Sequence, residues 1–281
     1  MVTYATQYPL FDLLLEPFTY NYMTTAIWIS MVIGCVCGLL SSYLILKGWS
    51  SIGNGISHAI LPGIVGCYKL GIPMSIGATM SGMLATSLMI QIKEKTKLQE
   101  DVSIAVVYLI FYSFAMFLLS LSPNDVYIES VFLGNVLSMS KSDTLQVLFI
   151  AFLVLSIVWI KRKDFILLFF DEAHAHSIGM NVKFLKNLFF SLLTITVVVG
   201  LQTVGLLLVI ATVITPGATA RLLTKSFGSY LFLSSFLGAA SGFFGAYTSY
   251  FLDCGPGGMI VLIETALFLL SLLYFKQCKT R

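Results

Sequence analysis

Tyr22-Met23-Thr24-Thr25-Ala26-Ile27-Trp28-Ile29-Ser30-Met31-Val32-Ile33-Gly34-Cys35-Val36-Cys37-Gly38-Leu39-Leu40-Ser41-Ser42-Tyr43-Leu44-Ile45-Leu46 runs for 25 residues without a charged side chain. Roughly 20 predominantly apolar residues suffice for a helix to cross the hydrocarbon core of a bilayer, so this stretch reads as a transmembrane helix. Further apolar segments follow at 55–70, 74–92, 103–121, 143–160, 188–206, 207–224, 229–252 and 256–275. The pattern predicts an all-α, polytopic membrane protein with about eight or nine transmembrane helices, forming a single transmembrane domain over residues 1–281.

Composition agrees. The chain is 58% hydrophobic and 10% charged, with a mean hydropathy of +0.93. A soluble domain needs more polar surface, and a β-barrel would show alternating segments of about ten residues. The net charge of +3 comes from basic residues scattered among loop ends, with no patch to track a phosphate backbone, so nucleic acid is not an expected partner. The amino terminus carries Asp12 and Glu16 but no early Lys or Arg, unlike a cleaved signal peptide, and reads as a retained lead-in. Cys35, Cys37, Cys67, Cys254 and Cys278 have no zinc-finger spacing and read as small packing residues.

Nine crossings place the two termini on opposite sides of the membrane. With the amino terminus outside, 14 of the 16 basic residues fall on the cytoplasmic side, leaving only Lys69 and Lys141 outside, as the positive-inside rule requires. The second and seventh crossings are short or interrupted, by Pro62 and by Pro216-Gly217; such breaks belong where protein or a wet cavity surrounds them. Residues 126–138, which include Glu129, are too short to span and suit an interfacial or re-entrant helix on the outer side. The stretch 161–187 lies inside, and within it 171–180 reads as a short amphipathic helix with acidic residues at its start and Gly179 at its end.

Few side chains in the membrane can carry chemistry. Asn54 and His58, at i and i+4, share one helix face beside Ser57, and an imidazole with an amide oxygen makes half of a transition-metal site. The plainer alternative is a histidine hydrogen-bonded to a neighbouring helix. Glu264 lies within Val-Leu-Ile-Glu-Thr-Ala-Leu-Phe, where an ionised carboxylate costs on the order of 3 kcal/mol on insertion scales and needs a partner, a cavity or a cation. A protonated Glu264 bonded to a Ser or Thr across a helix interface is the competing reading. Asp253 stands at the outer end of the eighth segment, and His174 and His176 are spaced as solvated surface residues. Gly34, Gly38, Gly77, Gly82, Gly242 and Gly245 suit close helix approach. The chain has no G-x-x-x-x-G-K-[ST] loop, no H-E-x-x-H and no G-x-S-x-G, and nothing marks it as an enzyme.

Taken in order, several motifs resemble the permease subunits of bacterial ATP-binding-cassette importers for manganese, zinc and iron. They are Leu15-Glu16-Pro17-Phe18, Leu44-Ile45-Leu46-Lys47-Gly48-Trp49-Ser50, Gly53 to Gly63, Leu70-Gly71-Ile72-Pro73, Leu201-Gln202-Thr203-Val204-Gly205, Ile214-Thr215-Pro216-Gly217-Ala218-Thr219-Ala220 and Ser249-Tyr250-Phe251-Leu252-Asp253. The resemblance implies a multi-pass permease of the bacterial inner membrane that binds no cofactor of its own and translocates a divalent metal ion, Mn, Zn or Fe. It implies a second permease copy or paralogue, an extracytoplasmic metal-binding protein and ABC ATPase subunits as partners. Residues 171–180 resemble the coupling helix that docks onto the ATPase, with Asp171, Glu172, Ala173 and Gly179 as its marked positions. In the family the first membrane motif usually reads Gly-Asp-x-x-Ser-His-Ala, with Asp and His as ion ligands; here position 54 is Asn. The metal set expected on this basis is His58 and Asn54, with Glu264 restoring the missing charge and Asp253 as a further carboxylate. The rival function is a secondary transporter or channel working alone, with Glu264 and His58 as a relay.

Overall fold

The computed structural model describes residues 10–96, 99–121 and 136–279. A helix α1 (Leu10–Thr19) leads into α2 (Asn21–Lys47), which stops where Gly48 turns into the left-handed region at φ 79°. There follow α3 (Ser50–Ala59), α4 (Leu61–Lys69), α5 (Met74–Lys95) and α6 (Glu100–Ser120). After a 3₁₀ turn at Val136–Ser138 come α7 (Lys141–Ile160), α8 (Arg162–Phe170), α9 (Glu172–Ser177) and α10 (Val182–Val204), then α11 (Leu206–Leu223), α12 (Phe227–Leu252) and α13 (Pro256–Lys279). The expected outer re-entrant segment, Glu129 included, lies almost wholly outside the described residues.

Among the described residues, seven helices are long and apolar enough to cross a membrane: α2, α5, α6, α7, α10, α12 and α13. The two segments read as interrupted account for the rest. The second apolar segment is split into α3 and α4, and the seventh is the shorter helix α11 with Pro216 inside it.

Helix α11 runs on through Pro216, and only the second segment is interrupted; at both prolines a serine from a neighbouring helix bonds the backbone. Pro62 lacks an N–H, and at this break the Ala59 carbonyl accepts a 2.6 Å hydrogen bond from Ser81 Oγ of α5. In α11, Ser41 Oγ of α2 donates to the Ile214 carbonyl at 3.2 Å and accepts from the Gly217 N–H at 3.1 Å. In a bilayer no water is at hand for irregular backbone, and these hydroxyls supply side-chain hydrogen bonds to the backbone beside each proline.

The core is built around α2 and α10. In their most apolar stretches 67% and 72% of the residues are buried, against 17% in α13. Helix α2 packs most extensively on α12, and the reason is steric. A Cβ on Gly34 would run into the Gly238 carbonyl, and one on Gly242 into the Ser30 carbonyl. Gly63 and Gly77 form a second such seam between α4 and α5. Backbone contact of this kind is how helices associate where lipid removes the hydrophobic drive.

The end of the molecule that carries Lys47 is held by aromatic rings. Tyr43 of α2 meets Phe165 and Phe169 of α8, Phe189 of α10 and Phe227 of α12, with centroids 5.5–6.1 Å apart. These contacts fix α8, and through it α9, against the membrane helices.

Candidate functional site

Helix α3 reaches the middle of the bundle because its glycines are small. A Cβ on Gly53 would meet Val213 of α11 at 2.7 Å, and one on Gly55 would meet Ile104 of α6 at the same distance. Its first turn is tied to α6 by Ser51 Oγ, which donates to Asp101 Oδ1 at 2.7 Å. Asn54 and His58 are both half-buried on this helix, and His58 occupies its last turn, immediately before the break at Ile60. Ser57 is buried and donates back to the Gly53 carbonyl at 2.9 Å, so its hydroxyl is engaged within α3.

The His58 ring lies between two tyrosines one turn apart on α6, Tyr108 at 5.8 Å and Tyr112 at 5.7 Å between centroids. Its Nδ1 is buried and has no hydrogen-bond partner among the described residues. This differs from the plain reading of a histidine bonded to a neighbouring helix: the imidazole is held by ring packing, and one nitrogen stays uncommitted. The tyrosine pair was legible only as two aromatics at i and i+4 in an apolar segment, a pattern that does not say what it faces.

Glu264 sits elsewhere in the bundle. It is 2% exposed on α13, where its Oε1 accepts from Ser241 Oγ of α12 at 3.1 Å and its Oε2 has no partner among the described residues. Helix α13 packs on α11 and α12, whereas α3 packs on α6, α5, α10 and α11. His58 and Glu264 thus belong to different packing neighbourhoods that share α11. Asp253 is exposed at the end of α12 in the left-handed conformation, φ 51°, a helix-stop position that Asp tolerates. Among the described residues, no three His, Cys, Asp or Glu side chains converge as a metal site.

The short helix α9 spans six residues, less than the 171–180 stretch read as helical, because Gly179 turns at φ 82° and the chain closes with Met180 N–H donating to the Ala175 carbonyl. Asp171 caps it, accepting from the His174 N–H at 2.9 Å. Ala175 is buried, while Ala173, His174, His176 and Gly179 are exposed. Glu172 turns inward between two cations: Lys186 Nζ of α10 at 2.5 Å and Lys47 Nζ of α2 at 3.8 Å. Lys186 is only 8% exposed, so it is a buried anchor for α9 and not one of the solvated basic residues at the loop ends.

A bundle of membrane-crossing helices, one segment broken at Pro62 and another carrying Pro216 within a continuous helix, with one half-buried imidazole at the break and a short helix pinned outside the bundle, is the architecture of a transport permease. The chain belongs to the ABC 3 transport family, which it matches over residues 19–275. It is 46% identical over 261 residues to the chelated iron transport system membrane protein YfeC of Yersinia pestis, covering 92% of this chain and 88% of that one. It is 39% identical over 266 residues to the manganese transport system membrane protein MntB of Synechocystis, covering 95% and 87% respectively. Among solved structures it resembles PsaBC from Streptococcus pneumoniae in complex with Fab, with a TM-score of 0.83, 31% identity and coverage of 93% and 95%.

Proposed function

We propose that this permease carries a divalent transition metal ion into the cytoplasm, driven by ABC ATPase subunits that bind on the side of α9. The observation that carries the reading is His58: a half-buried imidazole with an uncommitted nitrogen, at a helix break, in a chain nearly half identical to an iron transport membrane protein. Nitrogen with neutral oxygen favours first-row transition ions over Mg²⁺ or Ca²⁺. The relatives' names support iron and manganese; zinc shares the ligand chemistry.

His58 and Asn54 are the ion ligands in this account, and a second permease copy or paralogue brings its own pair to complete the shell. An incomplete shell in each protomer suits transport, because an ion must bind and then leave. Glu264 offers a buried carboxyl from the other side of α11, and Asp253 offers a carboxylate at the outer mouth, where an extracytoplasmic metal-binding protein delivers the ion. The amino terminus lies outside and the carboxyl terminus in the cytoplasm of a bacterial inner-membrane protein. Helix α9 is the coupling helix: Glu172 anchors it, Asp171 caps it, and Ala173 and Gly179 present its exposed side to the ATPase.

The test is uptake of radiolabelled Mn and Fe by cells that carry the complete transporter. His58→Ala should lower uptake at limiting ion at least tenfold with the protein still in the membrane. Wild-type uptake by that variant would remove His58 from the pathway.

A further inference from the structure

Two adjoining cavities open between α5 and α10 at the end of the bundle that carries Lys47 and α9. One, of about 180 Å³, reaches from Trp49 to Glu172; the other, of about 200 Å³, is lined by Ser87, Ile90, Gln91, Lys183, Lys186 and Asn187. They share Ile90 and Lys186.

Apart from Ile90, the second cavity is lined by hydrogen-bonding side chains, with no carboxylate among the described residues. Lys183 and Asn187 stand one turn apart on α10, and Ser87 and Gln91 one turn apart on α5, all four exposed. Glu172, which lines the neighbouring cavity, is engaged by Lys186 and Lys47. Above this polar end α5 continues as an apolar stripe with the same i, i+4 spacing: Met80, Leu84 and Leu88 are 68%, 55% and 37% exposed. Cationic and amide donors at the base of an apolar stripe match an amphiphile whose head is anionic.

We propose that this cavity binds the phosphodiester head of an anionic glycerophospholipid, with Lys183 as its principal charge and the acyl chains along Met80, Leu84 and Leu88. Lys186 lines the same cavity and holds Glu172 of α9, so the bound head shares a cation with the helix that docks the ATPase. The site needs the orientation proposed above, which puts this end at the cytoplasmic leaflet, but it does not depend on the identity of the ion.

Native mass spectrometry of the purified full-length chain, exchanged into detergent with phosphatidylglycerol, phosphatidylcholine or glycerol 3-phosphate, tests the site without metal or nucleotide. Wild type should retain phosphatidylglycerol in preference to phosphatidylcholine. Lys183→Gln should cut that retention about fivefold, while Lys183→Arg and the distant Lys141→Gln leave it unchanged. Gln91→Ala provides a second reduction if Lys183→Gln does not fold. Equal retention of the two lipids, glycerol 3-phosphate binding as tightly as phosphatidylglycerol, or unchanged retention in folded Lys183→Gln or Gln91→Ala would each overturn the proposal. A wild-type complex that fails to import metal would sink the transport reading and leave this measurement standing.

Discussion

Lys186 Nζ on α10 stands 2.5 Å from Glu172 Oε1 on α9, with the lysine almost fully buried and the carboxylate partly open to solvent. The pair fixes a six-residue helix that has one buried side chain, Ala175, to hold it by packing. Glu172→Ala strands the Lys186 charge and should cost about 1–3 kcal/mol, discounted from a fully buried pair because Glu172 is exposed by more than a third. Adding Lys186→Met should recover part of that loss. Thermal unfolding of the two single variants and the double variant checks this, and strictly additive losses would deny the coupling.

The serine bridge beside Pro216 in α11 makes a second prediction. Ser41→Ala leaves the Ile214 carbonyl and the Gly217 N–H without their shared partner inside the bundle, and should destabilise by about 1–3 kcal/mol. Ser41→Thr keeps the hydroxyl and should recover some of the loss. The unfolding midpoint in detergent reads both; a midpoint equal to wild type for Ser41→Ala would mean that the backbone there is satisfied in another way.

The α2–α12 seam predicts a contrast between glycines. Gly238→Ala drives a methyl group into the Gly34 backbone, which has no rotamer to yield, and should cost at least about 1–3 kcal/mol. Gly228→Ala, at the start of the same helix with open space around it, should be neutral or slightly stabilising. Equal effects would mean that the two helices do not approach as closely as described.

Glu264→Gln keeps the size of the side chain and an oxygen for Ser241 while removing the capacity to ionise when an ion passes. Uptake at limiting ion should fall several-fold with the unfolding midpoint unchanged. Uptake equal to wild type would assign Glu264 to the α12–α13 interface alone.

Much of this was legible in the residues, and for a definite reason. A bilayer imposes length and apolarity on each crossing, so long spans such as Tyr22–Leu46 announce themselves, and Pro62 and Pro216 mark the two irregular ones. The glycines at 34, 38, 77 and 242 were readable as close-approach positions because in lipid small residues have few other uses. What stayed hidden was pairing at a distance. Ser41 and Ile214 are 173 residues apart, and nothing in either neighbourhood names the other. Likewise Tyr108 and Tyr112 look like ordinary apolar-helix aromatics until α3 is laid beside α6, and Lys186 looks like any loop-end cation until α9 folds back onto it. Glu264 was recognisable as a residue that needs a partner, and Ser241 matches the hydroxyl partner of the plainer reading; that its helix packs away from α3 is a property of the tertiary arrangement.

The central claim is that this chain moves a transition metal ion past His58 at the expense of ATP. Ion uptake into proteoliposomes of the assembled complex, scored for Mn, Fe and Zn with and without ATP, tests it most directly. The account predicts nucleotide-dependent uptake of at least one of the three by wild type and its loss in His58→Ala. Uptake that persists without nucleotide, or that survives in His58→Ala, would contradict it.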